Sequence, residues 1–208
     1  MMNSFSLYNS FYKELTNDVI SKEGGTIQKS ASSRVQSFKG KKYWLVGATS
    51  GIGRSLALEM HDRGASLILS GRRNDLLCEL VGKMNNAVAE PCDVTCPVAL
   101  KSVFEKNDQI SAVDGVIYLA GTFARMPLGA MDLDKAAAIV ATNLMGAFHV
   151  IDAVLPRFYA RNRGQIVFCA SMVGFRGLPN AQPYGATKAA LINLAESLYV
   201  ECANISYL

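Results

Sequence analysis

Tyr184 and Lys188, a phenol and an ammonium four residues apart in Tyr-Gly-Ala-Thr-Lys, stand at the start of an apolar helical stretch. Residues at i and i+4 share one helix face, so Lys188 can hold its charge beside the Tyr184 hydroxyl. A free phenol ionises near pH 10 and gives almost no phenolate at neutrality. A unit charge about 5 Å away, at an effective dielectric near 20, is worth on the order of 3 kcal/mol. That is the scale of help a proton-exchanging tyrosine needs. The same spacing also arises in ordinary helices, where a core tyrosine lies beside a snorkelling lysine, so the surrounding residues decide.

Ser171, thirteen residues before Tyr184, closes the run Gln-Ile-Val-Phe-Cys-Ala at residues 165–170. Apolar continuity and β-branched content predict a short buried strand there. The serine hydroxyl then sits at a strand's carboxyl end, which is where ligands bind in open α/β sheets. A serine in that place can equally cap a turn or helix.

A second constellation follows the strand-like Tyr43-Trp44-Leu45-Val46, which runs into Gly47-Ala48-Thr49-Ser50-Gly51-Ile52-Gly53 and then into a helical pattern from Arg54 to Met60. Strand, glycine turn and helix are the context that a pyrophosphate cradle requires. Glycines permit the tight turn and close backbone approach, and the helix amino end offers free N–H groups and a positive dipole. Many strand-to-helix turns need glycine for conformation alone. Here three glycines fall in register with the helix start.

About twenty residues further, by the usual spacing, the strand-like Ala65-Ser66-Leu67-Ile68-Leu69-Ser70 ends in Gly71, Arg72 and Arg73. An NAD site ordinarily carries an acid at this point for the ribose hydroxyls. No carboxylate is present to repel a 2′-phosphate, and two guanidiniums can pair with one. NADP is therefore favoured, with NAD as the second choice.

Gly47, Gly51, Gly53, Ser171, Tyr184 and Lys188 together resemble, in order and spacing, the short-chain dehydrogenase/reductase family. The resemblance covers about residues 40–204. It implies an α/β fold, a Rossmann-like doubly wound parallel sheet with helices on both faces. It also implies hydride transfer between a nicotinamide coenzyme and a carbonyl or alcohol carbon. Tyr184 would exchange the proton, Ser171 would hydrogen-bond the reacting oxygen, and Lys188 would hold the nicotinamide ribose and assist the tyrosine. Asn143, in Ala-Thr-Asn-Leu-Met-Gly, matches the fourth catalytic residue and would support a water relay. Asp93 resembles the adenine-contacting aspartate, although it could also cap a helix before Pro97. Coenzyme contacts are expected from Gly47, Thr49, Ser50, Gly51, Ile52, Gly53, Arg72, Arg73, Asp93, Val94, Ala120, Gly121, Asn143, Tyr184 and Lys188.

Three departures accompany the matches. Val46 stands where the family has a threonine. Tyr118-Leu119-Ala120-Gly121 replaces Asn-Asn-Ala-Gly, putting apolar bulk where a polar brace is expected. The chain ends at Leu208, where the family continues with further strands and a substrate lid. Five parallel strands are expected, with the serine strand or a stub at residues 205–208 as an exposed edge. These features suggest a fragment, so the alternative to an active oxidoreductase is a catalytically impaired nucleotide-binding or dimerising piece of one. Helices at about residues 132–161 and 183–203 would pair the chain into a homodimer or homotetramer, as the family does.

The substrate side would be formed by the loop residues Phe123, Met126, Leu128, Met172, Val173, Phe175 and Leu178, which suggests an apolar small-molecule carbonyl compound. A polar leader over residues 1–39, flexible or with a short helix near residues 11–20, precedes one Rossmann domain over residues 40–208, incomplete at its end. The leader has no apolar run long enough for a signal peptide, and Glu14, Asp18 and Glu23 argue against a transit peptide. No stretch approaches the roughly eighteen consecutive apolar residues of a membrane span. A net charge of +4 without clustering argues against nucleic acid. Five cysteines without paired spacing suggest reduced thiols in a cytoplasmic protein, and no metal site is expected.

Overall fold

The computed structural model describes residues 37–203. The leader up to residue 36 and the stub at residues 205–208 lie outside the described residues. The compact unit begins at Ser37, slightly before the expected boundary. Phe38 belongs to this unit: its N–H donates to the Arg63 carbonyl at 2.8 Å, and its ring meets Tyr43 edge-on at 5.6 Å.

Among the described residues, five strands form a parallel sheet in the order β3-β2-β1-β4-β5. They are β1 (Lys42–Val46), β2 (Ser66–Ser70), β3 (Ala87–Ala89), β4 (Gly115–Tyr118) and β5 (Gln165–Phe168). Trp44, Leu45 and Val46 are all fully buried, because alternate residues of a strand point to opposite faces and both faces of β1 are covered. Trp44 and Val46 join a cluster with Phe104, Val154, Phe158 and Leu191. Leu45 joins Leu67, Leu69, Ala57, Met60, Leu77 and Leu80 on the other side. Burial on two faces is what turns a strand into a continuous apolar run. Trp44 also needs a partner for its indole N–H and finds Ser70 Oγ at 2.9 Å.

The helices that cover these faces are α1 (Gly51–Asp62), α2 (Asn74–Val81), α3 (Pro97–Ile110), α4 (Leu133–Val140), α5 (Gly146–Ala160) and α6 (Gln182–Ala203). Pro97 occupies the first turn of α3, where its missing N–H costs nothing. Phe104 of α3 links the layers, with its ring 6.2 Å from Trp44 and 5.9 Å from Phe158 of α5. The result is the Rossmann-like doubly wound arrangement expected from the sequence.

One π-helical turn, Ala141–Met145, joins α4 to α5. Such turns concentrate at functional sites, and this one carries Asn143. The buried Tyr118 hydroxyl donates to the Thr142 carbonyl inside it. Burial first, and then the negative charge of Asp93, push the Tyr118 ionisation well up, so the hydroxyl remains a donor. Tyr118 is therefore a polar brace running from sheet to helix, which corrects the expectation of apolar bulk.

The continuous helical run Leu133–Ala160 is 28 residues long and reaches a mean hydropathy of 1.7 in an 18-residue window, enough by length and composition to cross a membrane. That property is hidden from a count of consecutive apolar residues. Its buried side chains Ala147, Val150, Val154 and Phe158 pack on the sheet. Strand β5 is shorter and less buried than expected. It ends at Phe168 and alternates exposed and half-buried positions, and among the described residues it pairs with β4 alone.

Gly146 lies directly beneath Tyr118: a Cβ there would collide with the hydroxyl and stand 2.9 Å from Val94 Cγ2. Gly146→Ala is expected to destabilise the fold by about 1–3 kcal/mol. Adding Tyr118→Phe should cost less than the sum of the two changes, because removing the oxygen opens space for the methyl group. Urea unfolding of both single variants and the double variant measures this coupling.

Candidate active site

Strand register brings the ends of four strands to one level. Val46 pairs with Ser70 on one side and with Tyr118 on the other, and Tyr118 pairs with Phe168. The segments that follow each strand therefore emerge side by side. The order reverses between β1 and β4, since β1 leads on to β2 while β4 leads to β5. Such a switch point opens a crevice at the carboxyl ends. A cleft of about 450 Å³ lies there.

Ladder bonds continue past the strand ends and fix these segments. Gly47 and Ala48 donate to the Ser70 carbonyl at 2.8 and 3.0 Å, and Leu119 donates to Val46 at 2.8 Å. Gly47 takes a φ of 102°, and a Cβ on it would stand 2.5 Å from the Ala120 nitrogen. Gly53 packs under Gly47, whose carbonyl a Cβ would strike. Gly51 differs from both, with a φ of 53° and open space around it. Two glycines thus permit close packing and the third leaves room at the helix end. The first turn of α1 has no side-chain cap and no acid, so its N–H groups and dipole are left to an anion. The cradle fits the phosphates of a dinucleotide.

At the β2 end, Arg73 Nη2 donates to Thr49 Oγ1 at 2.8 Å and to Ser50 Oγ at 2.9 Å. Arg72 and Arg73 both line the cleft. Across from them, Asp93 Oδ1 accepts from the Thr95 N–H at 2.9 Å and from its hydroxyl at 2.8 Å. Those two bonds hold the Asp93 carboxyl below its ordinary range, and the Arg72 charge adds to the effect. Asp93 is the head of a turn; the N-cap of α3 is Cys96. Thr49, Ser50, Ile52, Val94, Ala120 and Gly121 also line this cleft.

The four candidate catalytic residues come from three segments. Asn143 is fully buried. Its Oδ1 accepts from the Thr122 N–H at 2.7 Å, and its Nδ2 donates to the Thr122 carbonyl at 3.0 Å and to Thr187 Oγ1 at 3.2 Å. Thr187 in turn donates to the Tyr184 carbonyl at 2.7 Å. Asn143 therefore ties the π turn both to the loop after β4 and to the first turns of α6.

Lys188 is buried, and its Nζ donates to the Cys169 carbonyl at 2.6 Å. Burial pushes the ammonium pKa down, with the Cys169 thiol side opposing it. The same Nζ stands 5.5 Å from the Tyr184 ring centroid. The i,i+4 pairing expected from spacing is thus present as a ring contact. The Tyr184 ring also meets Phe123 edge-on at 5.3 Å.

Ser171 caps the short 3₁₀ turn Met172–Gly174, accepting from the Val173 N–H at 3.4 Å. The turn that it caps packs against α6. Gly174 lies so close that a Cβ would stand 2.8 Å from the Lys188 carbonyl carbon. Gly121 lies over the cluster, with its Cβ position 3.5 Å from Asn143 Oδ1 and 3.8 Å from Lys188 Nζ. The space above those two polar groups is therefore kept free of side chain.

Thr122, Thr187 and the Cys169 carbonyl were not singled out by the sequence, although they hold Asn143 and Lys188. Thr187 had a signal: a hydroxyl three residues after Tyr184 can bond back to its carbonyl within the helix. Of the loop residues expected on the substrate side, Phe123, Leu128, Met172, Phe175 and Leu178 are exposed. Met126 and Val173 are buried instead, and Met126 packs inward while its N–H donates to the Asn180 carbonyl at 3.1 Å.

Residues 41–206 match the sequence model of the short chain dehydrogenase family. An uncharacterized oxidoreductase of Listeria monocytogenes is 34% identical over 170 residues, covering 79% of this chain and 68% of the relative. One from Mycobacterium tuberculosis is 35% identical over 172 residues, covering 78% and 68%. Among solved structures, a gluconate 5-dehydrogenase from Burkholderia cenocepacia, in complex with NADP and tartrate, superposes with a TM-score of 0.75 at 25% identity, covering 82% of this chain and 69% of that one. A 3-oxoacyl-[acyl-carrier protein] reductase from Brucella melitensis gives a TM-score of 0.75 at 28% identity, covering 83% and 68%. The family's glycine turn lines this crevice, its Tyr-x-x-x-Lys helix approaches it where Lys188 lies near Gly121, and the chain belongs to the short-chain dehydrogenase/reductase family of oxidoreductases.

Proposed function

We propose that the protein is an NADP(H)-dependent oxidoreductase that interconverts a small-molecule carbonyl compound and its alcohol. The observation that carries this reading is the meeting of Asn143, Lys188 and Tyr184 beside the glycine cradle. Bound in the cleft, the coenzyme would supply hydride to the carbonyl carbon or accept it from the alcohol. Tyr184 gives its hydroxyl proton to the carbonyl oxygen in reduction and takes one back in oxidation. Ser171 donates a hydrogen bond to that oxygen. Lys188 holds the nicotinamide ribose and keeps its charge beside the Tyr184 ring, and Asn143 supports the relay that returns the proton.

The preference for NADP rests on Gly71, Arg72 and Arg73. A 2′-phosphate would meet Arg72 and Arg73 together with the Thr49 and Ser50 hydroxyls. The NADP-bound gluconate 5-dehydrogenase agrees with this choice. Asp93 and Val94 take the adenine end, and Ala120 and Gly121 follow the coenzyme toward Tyr184. The protein acts in the cytoplasm without a nucleic-acid or membrane partner. Exposed Phe148 and Tyr159 on α5 and Tyr199 and Val200 on α6 support pairing through those helices.

Tyr184→Phe should lower kcat for reduction of an aldehyde or ketone by roughly 100- to 10,000-fold while leaving NADPH binding intact. Turnover undiminished in this variant would remove Tyr184 from the chemistry, and no turnover of any carbonyl by the unaltered chain would favour a binding-only role. NADPH should raise the melting temperature more than NADH. A tenfold affinity difference is about 1.4 kcal/mol, or about 3–6 °C for a chain of this size. Arg72→Asp should narrow or reverse the gap, and equal shifts in the unaltered chain would rule out the preference. Light scattering should find at least two 22.4 kDa chains per particle.

A further inference from the structure

A second cleft, of about 580 Å³, opens beside Tyr184 and includes Phe123, Arg125, Val173, Leu178 and Asn180 in its walls. Most of its wall is apolar, as a small-molecule pocket's is. Its ionisable groups are Tyr184 and Arg125 alone. The wall therefore offers one permanent cation and no anion.

Arg125 is exposed at the mouth of this cleft, but the backbone that carries it is held on both sides. Phe123 packs edge-on against the Tyr184 ring at 5.3 Å. Met126 is buried, and its N–H donates to the Asn180 carbonyl at 3.1 Å. Several arginines of the described residues are engaged: Arg54 with Glu79, Arg161 with Asp108, Arg163 with Asp114, and Arg73 with the hydroxyls of Thr49 and Ser50. Among the same residues, the side chains of Arg157 and Arg176 are as unpartnered as that of Arg125 but lie outside this cleft. Arg125 has no ion pair or hydrogen bond among the described residues. A planar guanidinium beside apolar walls is suited to a carboxylate, which it can bind through two parallel N–H groups, and low-dielectric walls strengthen the attraction.

We infer that the substrate is an oxo acid whose carboxylate is bound by Arg125 while its apolar part lies against Phe123 and Leu178. This rests on the carbonyl-reductase reading and narrows it from an apolar carbonyl compound to an anionic one with an apolar portion. In reduction, hydride forms the new C–H bond at the carbonyl carbon, the Tyr184 proton forms the O–H bond, and NADPH becomes NADP⁺. The product is a hydroxy acid, and Arg125 exchanges no proton or electron.

Benzoylformate and benzoylpropionate, each against its methyl ester, test the assignment in the 208-residue chain and in Arg125→Met and Arg125→Lys variants. For whichever acid places its carbonyl at Tyr184, KM should be lower than for its ester by roughly ten- to a hundred-fold. Arg125→Met should remove that advantage, bringing the acid and its ester to similar KM, and Arg125→Lys should restore part of it. Calorimetric binding of the same acids and esters to NADP⁺-saturated protein gives a readout that needs no turnover. Tighter acid binding that depends on Arg125, without turnover, would keep the carboxylate site and sink the reductase reading. Equal affinity for acid and ester in the unaltered chain, no binding of either acid, or an acid preference retained in Arg125→Met would overturn the inference. Should the Met variant fail to fold, the acid-to-ester comparison in the unaltered chain decides alone.

Discussion

The backbone of Gly47 passes so near Ala120 that a Cβ would stand 2.5 Å from its nitrogen, and the geometry of the crevice depends on that approach. Strands β1 and β4 are neighbours whose chains depart in opposite directions along the sheet. With ordinary side chains at the turn, the two departing segments would be pushed apart. Glycine allows them to stay in ladder register, with Leu119 donating to Val46, so the phosphate cradle and the loop toward Tyr184 share one wall. The departure at Val46 is consistent with this arrangement. Its side chain is fully buried in the core, while its carbonyl accepts the Leu119 N–H.

Asn143 extends that wall into the helical layer. Its three hydrogen bonds reach Thr122 after β4 and Thr187 in α6, so one amide joins elements far apart in sequence. A regular helix from Leu133 to Ala160 would turn its side chains by a fixed angle per residue. The π turn adds a local change of phase at Asn143, and Tyr118 holds that turn through the Thr142 carbonyl. The replacement of the expected asparagine by Tyr118 thus moves the brace from strand-to-strand to strand-to-helix. A satisfied buried amide of this kind is rigid, since breaking any one bond leaves a polar group without water.

The Tyr184–Lys188 pair and the glycine turn were legible because their chemistry is local: spacing within a helix or a tight turn already fixes which atoms meet. The alternation of strand-like and helical patterns was legible too, while the count of five parallel strands came from the family resemblance. The π turn was not legible. Ala-Thr-Asn-Leu-Met has nothing in its periodicity to distinguish it, and its shape depends on Tyr118 and Thr122, some twenty residues earlier. Met126 misled for a related reason, since an apolar loop residue has no periodicity to show which way it faces. The hydropathy of the α4–α5 run shows the converse: composition alone would allow a membrane span, and only the packing on Phe104 and the sheet identifies the face that composition describes.

The β2 end shows how a missing residue can be built into the packing around it. Gly71 occupies the position where an acid would bind ribose hydroxyls, and a Cβ there would stand 2.8 Å from Thr49 Cγ2. The methyl of Thr49 therefore fills the volume such a side chain would enter. Its hydroxyl is turned toward Arg73, so rotating Thr49 to admit a side chain would also loosen the guanidinium. One threonine rotamer thus both packs against Gly71 and, together with Ser50, orients Arg73. The proposed coenzyme preference then rests on a packed unit of Thr49, Gly71 and Arg73. An acid introduced at Gly71 alone would meet a steric barrier before it met the coenzyme.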